Sequence, residues 1–290
     1  MLSLMLASCI KEDLAICLPQ PIRVALTFVA SAECAEEPVT PADINHLTVF
    51  LFDQDGRFVQ QVDTVQSGTS YQIELSLVPA HYRFVAVAGY DEDQLMGLPF
   101  VPGVTHITDA AVTSYLEQRD GSLSSAEQVL YLGNDTLTVL PETPGQELAM
   151  TVVQQTKTLN VMVDGIANSQ YQIALVGNAA QYTFEMEQVY LTGSPVTYIP
   201  LREENGHYEG TTLINWPLKD EGDHTRLQII DPTTGRRLLD EIFLELLEHV
   251  PGIDLECSTG FDVEIQYRVN TGLVIYIENW KVYDDGYILI

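Results

Sequence analysis

The stretch SYQIELSLVPAHYRFVAVAGY, Ser70–Tyr90, decides the fold class. Its apolar residues recur at every second position. Tyr71, Ile73, Leu75 and Leu77 share one side of a first run, and Tyr82, Phe84, Ala86 and Ala88 share one side of a second. Successive side chains of a strand point to opposite faces, so this spacing predicts two strands, each with one buried face. Just upstream, INHLTVFLFD (Ile44–Asp53) is apolar almost without a break, the pattern of a strand nearer the centre of a sheet. Asp55-Gly56 follows with turn chemistry and RFVQQVDTV runs back, which predicts a hairpin over Ile44–Val65.

The same period continues downstream. EQVLYLGN and QELAMTVVQQ read as strands, and a second set opens at TKTLNVMVDGI, where Leu159, Val161 and Val163 alternate. QYQIALVG, HYEGTTLINW and HTRLQIID follow, and FDVEIQYRVN and GLVIYIENWKVY close the chain as two strands joined at Asn270-Thr271-Gly272. Strands at this spacing, separated by turn residues, predict an all-β sandwich or barrel. Two segments predict short helices in the connections. One is Thr108–Gln118, capped by Thr108 or Asp109, with Val112, Tyr115 and Leu116 on one face. The other is Arg236–Val250, where Leu239, Ile242, Phe243, Leu246 and Leu247 follow helical spacing. With 290 residues, two domains are expected, divided near Gln155: a tether over 1–19, then 20–155 and 156–290.

Charge excludes several functions. Thirteen Lys and Arg stand against 41 Asp and Glu, a net charge of −28. Binding nucleic acid requires clustered cations to neutralise phosphates, and docking to anionic lipid through basic patches requires the same. A highly soluble, self-repelling surface is the expectation. No run of about 18 apolar residues predicts a membrane-spanning helix.

The route to a membrane is at the front. Leu6-Ala7-Ser8-Cys9 is an apolar residue, two small residues and a cysteine, followed by the polar stretch Lys11-Glu12-Asp13. This looks like a bacterial lipobox, whose cysteine thiol takes a diacylglycerol and becomes the new N-terminus. Eight residues precede Cys9 and none is basic, which is less than a signal sequence needs, so a longer leader is expected upstream. Of the other cysteines, Cys17 and Cys34 flank PIRVALTFVAS, which reads as a single strand and would hold them beyond disulfide reach. A disulfide among Cys17, Cys34 and Cys257 is therefore expected to involve Cys257, with its partner left open.

Catalytic and metal signatures are missing from the sequence. Asp53-Gln54-Asp55-Gly56 begins like a calcium loop, but Arg57 and Thr64 stand where further acidic ligands belong, so a hairpin turn is expected. The six histidines fall in no metal spacing, and there is no CxxC, GxSxG, GxGxxG or P-loop. Neither an enzyme nor a cofactor is expected. Trp216, Trp280 and Tyr276 could stack on sugars. Tyr276 and Trp280, four residues apart, would share a strand face with Ile275 and Ile277 on the other.

Several segments, in order, resemble one family, the anchor subunits of Bacteroidales type V fimbriae, lipoprotein relatives of the fimbrillins. SCIKEDLAIC resembles the family's mature N-terminus, with the lipidated Cys9 and then Cys17. INHLTVFLFDQDGRFV resembles its strand and hairpin, with Phe52, Asp53, Gly56 and Phe58 in place. YRFVAVAG, TKTLNVMVDGI and IYIENWKVYDDG resemble later strands, although Glu278-Asn279-Trp280 stands where Asn-Gly-Trp is usual. The resemblance implies two tandem transthyretin-like β-sandwich domains. It also implies an outer-membrane lipoprotein, facing outward, that holds the base of a fimbria and meets stalk subunits by strand exchange. Stalk relatives lose their first strand to a cut after arginine. Arg23 is the only basic residue between Lys11 and Arg57, and an anchor is expected to stay uncut there, with Ile22–Val29 in place. A surface glycan-binding lipoprotein and a fimbrial tip adhesin are the alternative readings.

Overall fold

The computed structural model describes residues 20–29, 46–63, 66–67, 70–117, 123–125, 128–141, 145–165, 171–178, 180–190, 196–204, 207–216, 225–268 and 272–285. In the first half the strands are β1 (Gln20–Val29), β2 (Leu47–Asp53), β3 (Phe58–Asp63), β4 (Gln66–Ser67), β5 (Ser70–Leu77), β6 (His81–Ala88), β7 (Leu95–Met96), β8 (Ala111–Thr113), β9 (Tyr115–Glu117), β10 (Leu123–Ser125), β11 (Tyr131–Thr138) and β12 (Gln146–Gln154). In the second half they are β13 (Thr156–Asp164), β14 (Gln172–Val176), β15 (Ala180–Thr183), β16 (Gln188–Tyr190), β17 (Val196–Tyr198), β18 (Arg202–Glu204), β19 (His207–Asn215), β20 (Arg226–Ile230), β21 (Arg237–Ile242), β22 (Gly260–Arg268), β23 (Gly272–Ile277) and β24 (Trp280–Asp284). The fold is all-β sandwich, and the α-helix among the described residues is α1 (Phe243–Glu248).

The first sheet runs β3-β2-β6-β11-β12-β1-β5-β4. β5 and β6 are joined by only Val78–Ala80, yet three strands separate them in the sheet, so the sheet must fold over on itself. The alternating faces of Ser70–Tyr90 meet inside this fold: Tyr71, Ile73, Leu75 and Leu77 pack in one core with Tyr82, Phe84, Ala86 and Ala88, and with Leu47, Val49 and Leu51 of β2.

The unbroken apolar run of β2 has a separate cause. Its other face, Phe50 and Phe52, enters a second core with Phe58, Val85, Val87 and Leu132. That rear core is closed by a small third layer, β16-β15-β8-β7, which contributes Val112, Tyr182 and Phe184. β2 lies one strand in from the sheet edge, and burial on both faces, more than centrality, makes its sequence uniformly apolar.

In the second sandwich the sheet β18-β19-β13-β22-β23-β24 faces the sheet β21-β20-β14-β17-β10-β9. Leu159, Val161, Val163, Val263 and Ile275 from the first meet Ile173, Leu175, Leu227 and Ile229 from the second, with Phe243 and Leu247 of α1. The two halves also lend strands to each other. β9 and β10 come from the first half and complete a second-half sheet, while β15 and β16 come from the second half and cover the first sheet's rear face.

Three sequence expectations are corrected. The predicted helix Thr108–Gln118 is a single 3-10 turn, Ile107–Asp109, followed by β8 and β9. Val112 pairs with Tyr182, seventy residues on, a tertiary partner that local spacing cannot reveal. The predicted helix Arg236–Val250 is half strand: residues 237–242 pair with β20, and only Phe243–Glu248 is helical. The closing segment makes three strands instead of two, because Glu278 (φ 50°) and Asn279 (φ 66°) form a two-residue turn between β23 and β24. Both residues are left-handed, the requirement of a tight hairpin turn.

Candidate functional site

The candidate feature is the seat of β1. Backbone ladders hold it on both sides, parallel to β12 over Ile22–Val29 and antiparallel to β5 over Gln20–Leu26. Ile22 is 1% exposed and belongs to the front core. Arg23, at the next position, lies in register between Glu147 of β12 and Glu74 of β5, both exposed. Arg23 therefore lies in an interior strand and not in an edge strand.

β1 starts at Gln20, opposite Leu77. The same end of the sandwich carries the β5–β6 turn, the start of β6 at His81, the end of β11 at Thr138 and the β2–β3 hairpin. Asp53 organises that hairpin: its Oδ1 accepts the N–H groups of Asp55 (2.9 Å) and Arg57 (2.8 Å), and its carbonyl accepts from Gly56 (3.0 Å). Gly56 is left-handed (φ 73°), and a Cβ there would come within 2.6 Å of His106 Nε2, so glycine is required. The aspartates of the calcium-like motif are turn residues.

The opposite end of β1 reaches the junction of the halves, where Val29 pairs with Val153. Gln155 alone separates β12 from β13. A buried polar network ties the lent strands down here. The Tyr182 hydroxyl bonds the carbonyls of Gln155 (2.8 Å) and Trp216 (2.9 Å). Asn178 Oδ1 accepts from the Tyr115 hydroxyl (2.6 Å) and the Asn215 N–H (2.8 Å), and the Asn215 side-chain amide donates to the Asn178 carbonyl (2.7 Å). Burial of Tyr115 pushes its hydroxyl far above the ordinary tyrosine range. The Lys157 ammonium sits 4.2 Å over the Trp216 ring and donates to the carbonyls of Leu255 and Glu256. Burial lowers its pKa to about 8, with Glu256 and Asp254 pulling the other way.

The cysteines divide by position. Cys257 is in a disulfide. Cys9, Cys17 and Cys34 lie outside the described residues. The aromatic pair resolves differently from its sequence spacing: the turn at Glu278-Asn279 puts Tyr276 opposite Lys281 and Trp280 opposite Ile277, so the two rings occupy different strands. Trp216 is in the core, on Phe261. The outer face of the second sandwich holds a shallow hollow of about 340 Å³ lined by Asn160, Met162, Thr211, Asp262, Glu264 and Tyr276, with Asn160 bonded to Asp262 (2.9 Å) and Thr211 (3.0 Å).

The two sandwiches lend strands to each other, and the buried polar groups at their junction tie those lent strands in place. The chain belongs to the family of fimbrillin-A associated anchor proteins Mfa1 and Mfa2, whose model matches residues 17–286. This is a fimbrial structural family and not an enzyme class. Among solved structures, the chain is similar to the fimbrial anchor protein Mfa2 from Porphyromonas gingivalis, at 19% identity and TM-score 0.70, over 91% of this chain and 99% of that one. A candidate adhesin from Bacteroides ovatus aligns at 17% identity and TM-score 0.74, covering 91% and 94%. A candidate polysaccharide-binding protein from Bacteroides thetaiotaomicron aligns at 15% and 0.71, covering 90% and 97%. At these identities the likeness is one of fold. No curated protein sequence matches the chain.

Proposed function

We propose that this chain is the lipid-held base of a fimbria on the outer membrane: Cys9 carries the lipid, β1 stays in the sheet, and stalk subunits join it by strand exchange. One observation carries the reading. The peptide bond after Arg23 lies within Ile22–Leu26, the stretch of β1 laddered on both sides, so an arginine-directed protease cannot take that segment as an extended substrate without opening the sheet. A stalk subunit must lose its first strand to accept a neighbour's; an anchor must keep the connection between lipid and fold. β-Strand addition draws affinity from main-chain hydrogen bonds and register from alternate side chains.

The disulfide fits the same role. With Cys9 acylated, Cys17 and Cys34 remain for Cys257. β1 spans about 30 Å at about 3.3 Å per residue. Cys17 lies three residues before its far end, and three residues reach only about 10 Å. Cys34 follows Val29, and Val29 neighbours Val153 at the junction. There Gln154 bonds the Thr259 carbonyl at 3.2 Å, two residues from Cys257. A Cys34–Cys257 bridge would staple the exit of β1 to the second sandwich, and non-reducing peptide mapping should return that pair and not Cys17–Cys257.

The deciding experiment replaces Cys9 with Ser in the native strain, with the full upstream reading frame, and compares fimbriae on cells with fimbriae in the medium. Release into the medium is expected. Retention unchanged, or a mature N-terminus at Val24, overturns the reading.

A further inference from the structure

Ten large apolar side chains stand out from the described surface, and half of them gather at one end of the first sandwich: Val78, Leu98, Val101, Val104 and Leu140, from 43% to 66% exposed. Val78 opens the β5–β6 turn. Leu140 follows β11 and lies beside that turn, since the Val139 N–H donates to the Ala80 carbonyl (2.8 Å). The other three belong to the loop Gly97–Thr105, which is braced on the β2–β3 hairpin. Gly103 N–H donates to the Phe58 carbonyl (2.8 Å), Phe58 N–H to the Thr105 carbonyl (2.8 Å), and Ile107 N–H to the Gly56 carbonyl (2.8 Å).

This loop does not spread its side chains to hide them. Phe100 turns inward onto Phe50, Phe58 and Phe184, with ring centroids 5.0, 5.3 and 5.9 Å away, while Leu98, Val101 and Val104 on either side of it face out. The exposed side chains form two groups, Val78 with Leu140 and Leu98 with Val101 and Val104, which share this end with the polar Asp53–Gly56 turn; single exposed apolar residues are ordinary, but several at one end mark a contact surface.

The position of the chain's own front end selects the occupant. β1 begins at Gln20, at this same end, and Cys9 lies eleven residues before it. That length reaches at most about 40 Å. We propose that this end of the first sandwich rests on the lipid surface, with Val78, Leu98, Val101, Val104 and Leu140 entering the headgroup–acyl boundary; the proposal rests on lipidation at Cys9. The contact is apolar: with a net charge of −28 the chain gains nothing from anionic lipid. Its role is orientation. A flexible tether alone leaves the sandwich free to tumble, whereas a seated end points the domain junction and second sandwich outward.

The test uses the full lipidated chain on vesicles of phosphatidylcholine and phosphatidylethanolamine, with brominated acyl chains as quenchers. Tryptophan is introduced singly at Val104→Trp, Leu140→Trp and, as a control on the second sandwich, at the exposed Tyr198→Trp. Quenching at the first two positions should exceed that at the control by at least about twofold, since interfacial residues sit within the acyl boundary, and should not change with salt. Equal quenching at all three in chains that float with the vesicles overturns the docking and leaves the anchor reading intact. Chains that do not float overturn both. Shielding of Val104→Trp only on addition of stalk subunits assigns the surface to a protein and overturns the lipid occupant.

Discussion

The two sandwiches use their principal sheets in opposite ways. In the first, β2 and β6 are buried on both faces, and the residues of β2 divide between two cores: Val49 and Leu51 in front, Phe50 and Phe52 behind. In the second, β13 and β22 bury one face and leave Asn160, Met162, Asp262 and Glu264 on the other. The difference comes from the lent strands. β15 and β16 of the second half bring Tyr182 and Phe184 to the first half's rear core, and among the described residues nothing comparable covers the outer face of the second sandwich. The first sandwich thus depends on the second for its closure, which ties the two halves together mechanically.

The largest effect should come from breaking that closure. Phe52 is fully buried against Phe58 and Phe184, and Phe52→Ala is expected to cost about 3–5 kcal/mol in chemical denaturation, the range for large aromatic truncations. A loss under about 1 kcal/mol would mean the rear layer is not part of the cooperative unit. Next comes the polar junction. Asn178→Ala removes the acceptor of the buried Asn215 N–H, and leaving that donor unpaired costs about 1–3 kcal/mol, while the Tyr115 hydroxyl keeps the Leu213 carbonyl at 3.0 Å. If the network holds the lent strands, the loss should appear in both sandwiches at once, as a lowered single transition. Two separated transitions would show independent halves.

Lys157 offers a pH handle on the same junction. Its folded pKa of about 8 lies below the ordinary lysine value of 10.5. Between these values the unfolded chain holds a proton that the folded chain has released, so stability rises with pH across that window. Relative to Lys157→Met, which does not titrate, the wild type should gain on the order of 1–3 kcal/mol as pH goes from about 8 to about 10. A flat difference would mean that the bonds to Leu255 and Glu256 fully offset the burial of the charge.

Much of this was legible in the sequence, and the exceptions share a cause. Ser70–Tyr90 alternates because one face of each strand is buried, and Asp53–Gly56 turns because its side chain and backbone bond locally. Such features depend on near neighbours. What local spacing misses is set by distant partners: Val112 extends because Tyr182 pairs with it, and residues 237–242 extend because β20 does. The shared face expected for Tyr276 and Trp280 is lost for a different reason, since Glu278 and Asn279 both adopt left-handed backbone without a glycine between the strands to signal the turn. The seat of β1 was half legible. The strand itself could be read, but its interior position between a parallel and an antiparallel neighbour could not, because Glu74 and Glu147 are far from Arg23 in the chain.

The smallest effect should fall on the second sandwich's bare face, and its smallness is informative. Met162 is 37% exposed, in register with Glu209 and Glu264 and two strands from Tyr276. It stands outside the core of its sandwich, so Met162→Ala is expected to change stability by no more than about 0.5 kcal/mol. The contrast with Phe52→Ala isolates what the lent hairpin does, because both residues lie on sheet faces turned away from their sandwich's front core. If Met162→Ala instead cost as much as a core truncation, that face would be covered by some part of the chain, and the asymmetry between the sandwiches would vanish. A neutral result keeps the asymmetry and leaves the acidic outer face free of any folding duty.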